Sequence, residues 1–180
     1  MSKKVLVIST SPRKGGNSEI LADEFMRGAT DAGNNTEKVV LYDKKIGFCI
    51  GCFACQKTKR CVVNDDAIEI VEKMFNADVI VFATPVYFYD MCGQMKTLID
   101  RSNPLYPSDY KFRDVYLIAT AADEPLSCMD GTIKGMQGWI QCFEKSTLRG
   151  KVLGLNVLGI GEIKQQPDKM KEAYGMGKLV

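Results

Sequence analysis

The chain has 180 residues, 46% of them hydrophobic, and a formal net charge of +2. The length and hydrophobic content predict one domain over residues 1–180 with a sizeable buried core. The small net charge predicts no bias towards nucleic-acid or membrane partners. No apolar run approaches the roughly eighteen residues that span a bilayer, and no signal-like apolar segment follows the first lysines, so we expect a cytoplasmic protein. In that compartment the seven cysteines should be reduced or metal-bound, and the absence of histidine excludes Ser-His and Cys-His catalysis as well as histidine metal ligands.

Short apolar runs alternate with helical patterns along the whole chain. The predicted strands cover residues 4–9, 38–42, 79–83, 115–120 and 152–157, and the predicted helices lie near residues 18–32, 65–76, 92–101, 131–143 and 167–174. Such alternation is typical of an α/β fold in which right-handed crossovers place helices on both faces of a parallel sheet. Five strands fit the flavodoxin-like order 2-1-3-4-5, and we expect ligands beyond the carboxyl ends of strands one, three and four.

The first of these three loops reads STSPRKGGNS over residues 9–18. It joins a buried strand to a helix start, where unpaired N–H groups and the positive end of the helix dipole favour an anion. It lacks both G-x-G-x-x-G and G-x-x-x-x-G-K-[ST], so its hydroxyl groups favour the terminal phosphate of FMN, with an ordinary polar turn as the alternative. The residues of this loop predicted to bind the cofactor are Ser9, Ser11, Pro12, Arg13, Asn17 and Ser18, and all of them except Pro12 are expected around the phosphate.

The second loop reads TPVYFYD over residues 84–90, and the third begins TAADE at residue 120. Proline stiffens the exit from the sheet, and consecutive aromatic side chains suit a planar ring. Packing against a helix or at a subunit interface is an open alternative that is compatible with a ligand. The residues predicted to lie near the flavin are Thr84, Pro85, Val86, Tyr87, Phe88 and Ala121.

A cysteine-rich loop over residues 47–63 has the spacing C-x2-C-x2-C-x5-C, formed by Cys49, Cys52, Cys55 and Cys61. Compact spacing lets one loop wrap an iron–sulfur cubane, and nearby basic residues would offset the charge of thiolate ligands. Three interpretations stay open: a [4Fe–4S] cluster, a cluster-free loop with structural or redox-active thiols, and a four-thiolate zinc site. The other thiols are predicted to be small buried apolar groups: Cys92, Cys128 and Cys142.

These motifs resemble those of the NADPH-dependent FMN reductase-like flavoproteins of the flavodoxin superfamily, and within them the iron–sulfur flavoproteins. The resemblance rests on the loops at 9–18 and 83–88, the four cysteines followed by Asp65 and Asp66, and the segment GQMKTLIDR at 93–101. It implies FMN bound by the first two loops, a dimer or tetramer with flavin near a subunit boundary, and a cluster on the four cysteines. Asp65 and Asp66 are expected to be negative charges at a helix N-terminus.

The resulting hypothesis is an FMN-dependent oxidoreductase that takes hydride from NAD(P)H and passes electrons to free flavin, a quinone, another small acceptor or the iron–sulfur centre. Because the cofactor carries the chemistry, no side chain is predicted to be catalytic. Two alternatives stay open. One is an electron carrier supplied by a ferredoxin-type protein, and the other is a redox-responsive protein that uses the cysteine-rich loop as a switch.

Overall fold

The computed structural model describes residues 2–180 and shows strands alternating with helices, as predicted. The strands are β1 (Lys4–Ser9), β2 (Asn35–Val40), β3 (Val79–Tyr87), β4 (Asp90–Met91), β5 (Asp114–Thr120) and β6 (Thr147–Gly154). The helices are α1 (Asn17–Asp31), α2 (Ala54–Thr58), α3 (Ala67–Asn76), α4 (Gly93–Arg101), α5 (Asp130–Gln141) and α6 (Pro167–Lys178). None of these helices, within the described range, is long and apolar enough to cross a membrane.

The parallel strands of residues 2–180 follow the order β2-β1-β3-β5-β6, which is the predicted flavodoxin-like order. The two-residue strand β4 pairs antiparallel with the end of β3 and is an addition that the sequence pattern did not predict. The winding direction reverses between β1 and β3, where Ser9 at the end of β1 is level with Ala83. The loops that follow these two strands therefore open side by side, at the switch point where such sheets bind ligands.

Each face of the sheet has its own hydrophobic core, because neighbouring residues of a strand point to opposite faces. In β1, Leu6 and Ile8 belong to the core that includes side chains of α3, α4 and α5. Val5 and Val7 belong to the opposite core, with side chains of α1 and α6. Helices on both faces explain why the central strands read as continuous apolar runs.

Several strand boundaries differ from the prediction, most clearly those of β2, β3 and β6. β2 begins at Asn35, three residues before the predicted start at 38, because an edge strand tolerates polar residues and its apolar residues mark only its last part. β6 ends at Gly154, whereas the predicted strand covered residues 152–157. Asn156 has a φ of 56°, which an extended strand does not accommodate. The apolar residues beyond Gly154 therefore belong to a loop.

Helices α1 and α6 touch through glycine. A Cβ on Gly28 would overlap the carbonyl oxygen of Tyr174, and a Cβ on Gly177 would overlap the carbonyl oxygen of Phe25. The two backbones can approach this closely only because neither position carries a side chain. Helix α6 thereby braces α1, whose first turn faces the carboxyl edge of the sheet.

Candidate functional site

The loops that follow β1, β5 and β6 meet the last residues of β3 at the carboxyl edge of the sheet and line a cavity of about 110 Å³, which we call the switch-point cavity. Seven residues predicted from the sequence line it: Ser11, Arg13, Asn17, Ser18, Pro85, Val86 and Tyr87. Five predicted residues are not part of its lining: Ser9, Pro12, Thr84, Phe88 and Ala121. Six others that the prediction missed complete it: Gly16, Thr120, Ala122, Val157, Leu158 and Ile160.

Two buried hydroxyl groups flank the first loop and lack a hydrogen-bond partner within residues 2–180. They are Ser9 Oγ, at the last residue of β1, and Ser18 Oγ, in the first turn of α1. The exposed fraction is 0% for Ser9 and 1% for Ser18. An unpaired buried polar group costs about 1–3 kcal/mol, so such groups call for a ligand or another explanation. Ser18 lines the cavity, so its hydroxyl could donate to an anion bound there, whereas Ser9 is not part of the lining.

Three other residues predicted to bind phosphate make contacts within the chain. Ser11 Oγ accepts the N–H of Arg13 at 3.1 Å and so shapes the turn. Arg13 Nη1 donates to the carbonyl oxygen of Leu158 at 2.9 Å. Asn17 Nδ2 donates to the carbonyl oxygen of Gly159 at 2.8 Å, and its Oδ1 accepts the N–H of Ile163 at 3.2 Å. Asn17 therefore fastens the loop after β6 to the start of α1.

Glu19 places a carboxylate beside the first loop, and Lys38 offsets its charge. Glu19 Oε2 accepts the N–H of Gly15 at 2.8 Å, and Oε1 lies 3.2 Å from Lys38 Nζ. Burial alone would lower the pKa of Lys38, but Asp23 and Glu19 outweigh burial and raise it, so this amine stays protonated. Because one amine is shared by two carboxylates, an anion at this loop would depend on the N–H groups of the first turn of α1.

The aromatic segment is the end of a strand and a tight hairpin, which corrects the predicted loop over residues 84–90. β3 continues to Tyr87, and β4 returns from Asp90. The turn consists of Phe88 and Tyr89, with φ values of 51° and 63°. Bulky residues rarely adopt positive φ, and each such residue stores about 1–3 kcal/mol of strain, often near a ligand site. Phe88 is fully exposed at the tip.

The third loop contributes Thr120 and Ala122 to the cavity, while Ala121 has a different role. Ala121 is buried, its N–H donates to the carbonyl oxygen of Gly154, and its carbonyl oxygen accepts the N–H of Val157. These bonds hold the loop after β6 against the third loop. The sequence offered one signal for this fourth loop, namely Asn156, because asparagine tolerates the positive φ that ends a strand.

A buried thiol joins the first two loops. Cys92 is fully buried just before α4, and its Sγ lies 3.2 Å from Thr10 Oγ1. Thr84 Oγ1 accepts the N–H of Cys92 at 3.2 Å and lies 3.4 Å from its Sγ. The prediction of a small buried apolar residue is therefore incomplete, because this thiol connects the end of β1 to the end of β3. Thr84 helps to hold the switch point together.

A second cavity, of about 850 Å³, lies beside the cysteine-rich loop, and we call it the cysteine cavity. All four predicted ligand cysteines line it: Cys49, Cys52, Cys55 and Cys61. Cys142 lines it too and is exposed, which corrects the prediction that it is buried, whereas Cys128 is buried as predicted. In the part of the chain that the structure describes, no three cysteine or carboxylate side chains are grouped so that they could hold a metal ion. The four thiols therefore line one cavity but are not grouped around one point.

The comparisons with known proteins agree with this fold. The family model for NADPH-dependent FMN reductase matches residues 3–126. A Bacillus subtilis protein named as an NAD(P)H-dependent FMN-containing oxidoreductase is 31% identical over 166 residues, which cover 84% of each chain. An iron–sulfur flavoprotein of Methanocaldococcus jannaschii is 43% identical over 102 residues, or 57% of this chain. That match spans about half of the relative's own length, 53%.

The fold is also that of an NAD(P)H:quinone oxidoreductase from Methanothermobacter marburgensis. The two structures superimpose with a TM-score of 0.73, and the match covers 99% of this chain and 96% of that one. Their sequence identity is 14%, so the likeness concerns the fold alone.

Proposed function

The chain belongs to the NADPH-dependent FMN reductase family, and from that premise we propose that it is an FMN-dependent oxidoreductase supplied by NAD(P)H. Its electrons would go to a quinone, free flavin or another small acceptor. The observation that supports FMN most directly is the buried hydroxyl group of Ser18, which lines the cavity and has no partner among the described residues. A phosphate offers acceptor oxygens to such a donor.

Different residues of the switch-point cavity would bind the phosphate and the ring system of FMN. Ser18 Oγ and the free N–H groups of the first turn of α1 would hold the phosphate, where the helix dipole also favours it. A Cβ on Gly16 would lie only 2.5 Å from Ser11 Oγ and 3.1 Å from the carbonyl oxygen of Arg13, so a side chain there would displace the hydroxyl that shapes the turn. Pro85 and Tyr87 would border the ring system. Bound FMN would supply the hydride-accepting ring, while the chain supplies binding and orientation.

We also propose that the protein acts in the cytoplasm as a homodimer or homotetramer, without nucleic-acid or membrane partners. The near-neutral net charge of +2 supports the absence of such partners. Exposed Phe88 and Tyr89 at the hairpin tip support a subunit contact near the flavin, because neighbouring exposed aromatics are typical of interfaces.

A second function, electron transfer through a [4Fe–4S] cluster, is supported by the cysteine cavity. The four thiols that line it match the donor set of such a cluster, and Lys57, Lys59 and Arg60 would offset its charge. A cluster would supply one-electron storage beside the flavin, and a ferredoxin-type protein would be the alternative donor. Because the thiols are not yet grouped around one point, their role would include closing the loop around the cluster.

Replacing Cys52 by serine should remove most of the bound iron, whereas replacing Cys142 by serine should leave it unchanged. Both thiols line the cysteine cavity, but only Cys52 belongs to the compact spacing that can wrap a cubane. Iron and acid-labile sulfide would be measured on protein purified without oxygen, with about four irons per chain expected for the wild type. Equal iron contents in the wild type and Cys52→Ser would contradict the assignment of the four ligands.

The proposed reductase activity is tested by NADPH oxidation with benzoquinone as acceptor. We expect turnover with FMN-loaded protein and at least a tenfold lower rate with flavin-free protein, since the ring carries the chemistry. A protein that binds FMN but is reduced only through reduced ferredoxin would instead be an electron carrier. That result would contradict the reductase proposal while leaving the FMN site intact.

A further inference from the structure

Arg101 joins the two ends of the cysteine-rich loop. Arg101 is the last residue of α4, and its side chain is fully buried. Its Nη1 donates to the carbonyl oxygen of Gly47 at 2.7 Å, and its Nη2 donates to the carbonyl oxygen of Val63 at 3.0 Å. Gly47 precedes the first ligand cysteine of the loop, and Val63 follows the last one.

Asp65 completes this junction. Its two oxygens accept hydrogen bonds from Nη1 and Nη2 of Arg101 at 2.6 and 2.8 Å. With the two carbonyl groups, these bonds give each of the four N–H groups on the terminal nitrogens an acceptor. The same carboxylate accepts the N–H of Gly47 at 2.8 Å and that of Ala67 at 3.1 Å. Asp65 therefore ties the entry of the loop to the start of α3. This role is more specific than the predicted one, a negative charge at a helix N-terminus.

Asp66 adds a second closure on the same side. Its Oδ2 accepts the N–H of Lys45 at 2.6 Å, and its own N–H donates to the carbonyl oxygen of Lys45 at 3.2 Å. The two adjacent carboxylates thus hold residues 45 and 47, while Arg101 reaches both ends of the loop. Between residues 48 and 62, apolar residues such as Phe48 and Ile50 are exposed. Cys55 is buried, and its Sγ accepts a hydrogen bond from Asn103 Nδ2 at 3.2 Å, so the segment is held at its base and at this one thiol.

We propose that Arg101 is a positioning residue that closes the base of the cysteine-rich loop, so that the four thiols face the cysteine cavity before any metal arrives. Preformed ligands are held by a surrounding layer of hydrogen bonds, and the loss of such support weakens metal binding. Arg101 is not one of the residues that line the switch-point cavity. The proposal therefore goes beyond the reductase function and stands or fails separately from it.

The planar fork of arginine suits this task, and lysine does not replace it. Arg101 bridges one carboxylate and two carbonyl groups at once, which needs several donors in fixed directions. A lysine would keep the positive charge but offers a compact ammonium on a flexible stem. Arg101→Lys therefore separates the positioning role from a simple charge effect.

Helix α4 extends the effect of this junction to the switch point. Cys92, the residue before the first turn of α4, is hydrogen-bonded to Thr10 and Thr84. Arg101 is the last residue of the same helix. One short rigid helix thus connects the end of β1 and β3 to the base of the cysteine-rich loop. Arg101 consequently sets where the four thiols lie relative to the switch-point cavity.

The test compares Arg101→Gln, Arg101→Lys and Asp65→Asn with the wild type in the metal-free protein. We expect the amide of Gly47 to exchange hydrogen at least about tenfold faster in all three variants, because its acceptor is no longer fixed. The buried thiol of Cys55 should react with iodoacetamide at least about tenfold faster by the same reasoning. Iron uptake on reconstitution should fall about 10- to 100-fold, as for other lost supporting contacts, while FMN affinity stays unchanged.

Arg149→Gln is the matched control, because Arg149 Nε is paired with Asp114 at 2.6 Å at the start of β5, at the far edge of the sheet. It should alter neither the Gly47 amide nor iron uptake. The proposal is overturned if Arg101→Lys behaves like the wild type, since charge alone would then suffice. It is also overturned if Gly47 and Cys55 keep their wild-type rates in Asp65→Asn. Should Arg101→Gln fail to fold, the other two variants still decide.

Discussion

Replacing Ser18 by alanine should weaken FMN binding by about 10- to 100-fold while leaving the flavin-free protein as stable as the wild type, or more stable. In the free protein Ser18 Oγ is buried without a partner among the described residues, so its removal relieves a desolvation cost. With FMN bound, the same hydroxyl would donate to the phosphate. Hydrogen bonds to charged groups contribute about 1.5–3 kcal/mol, which corresponds to the expected change in Kd.

The measurement is a fluorescence titration of flavin-free protein with FMN and with riboflavin, which lacks the phosphate. The Ser18→Ala change should weaken FMN binding and leave riboflavin binding as it is. Ser146→Ala serves as the control variant, because Ser146 Oγ donates to the carbonyl oxygen of Phe143 just before β6, at the opposite edge of the sheet. A loss of stability combined with an unchanged FMN affinity would mean that Ser18 supports the fold and does not bind phosphate.

Replacing Gly177 by alanine should lower the free energy of unfolding by about 1–3 kcal/mol, the usual range for forcing extra volume into a packed contact. The new methyl group would overlap the carbonyl oxygen of Phe25 and lie 2.9 Å from the backbone nitrogen of Ala29, and neither backbone atom can rotate away. Helix α6 would have to move off α1. For a chain of this size the melting temperature should fall by about 2–4 °C per kcal/mol.

Gly175 on the same helix provides the opposite result. A Cβ there would meet nothing within 4 Å, so Gly175→Ala should stabilise the protein by about 0.5–1 kcal/mol through the better helix propensity of alanine. Thermal unfolding followed by circular dichroism measures both variants. If Gly177→Ala melts at or above the wild-type temperature, the close packing of α1 and α6 is wrong.

The order of elements was predictable from the sequence, whereas the boundaries at the edges were not. Alternating apolar runs and helical patterns fix a parallel sheet with right-handed crossovers, and this fold is confirmed. The errors fall where tertiary context decides. The polar start of β2 is tolerated because the strand lies at an edge, and β3 extends beyond Pro85 because the hairpin to β4 holds it. Neither influence can be read from hydrophobic periodicity.

The sequence predicted many of the residues that line the switch-point cavity, but it did not predict the contacts that these residues make. The hydroxyl-rich loop indicated an anion site because a strand, a turn and a helix start follow one another in the sequence. The sequence could not say which hydroxyl would be left unpaired, since Ser11 and Asn17 find partners only after folding. The loop at 157–160 was missed for the same reason, because its contact with the third loop joins segments far apart in the chain.

The most direct test of the central claim is the absorption spectrum of protein purified without oxygen, before and after one equivalent of NADPH. We predict visible flavin bands that are largely lost after the addition, because the bound flavin accepts the hydride. A broad shoulder near 400 nm, roughly where cysteine-ligated iron–sulfur centres absorb, would accompany them if the cysteine-rich loop holds a cluster. A protein that retains no flavin, even after incubation with excess FMN, would contradict an FMN site at the switch point.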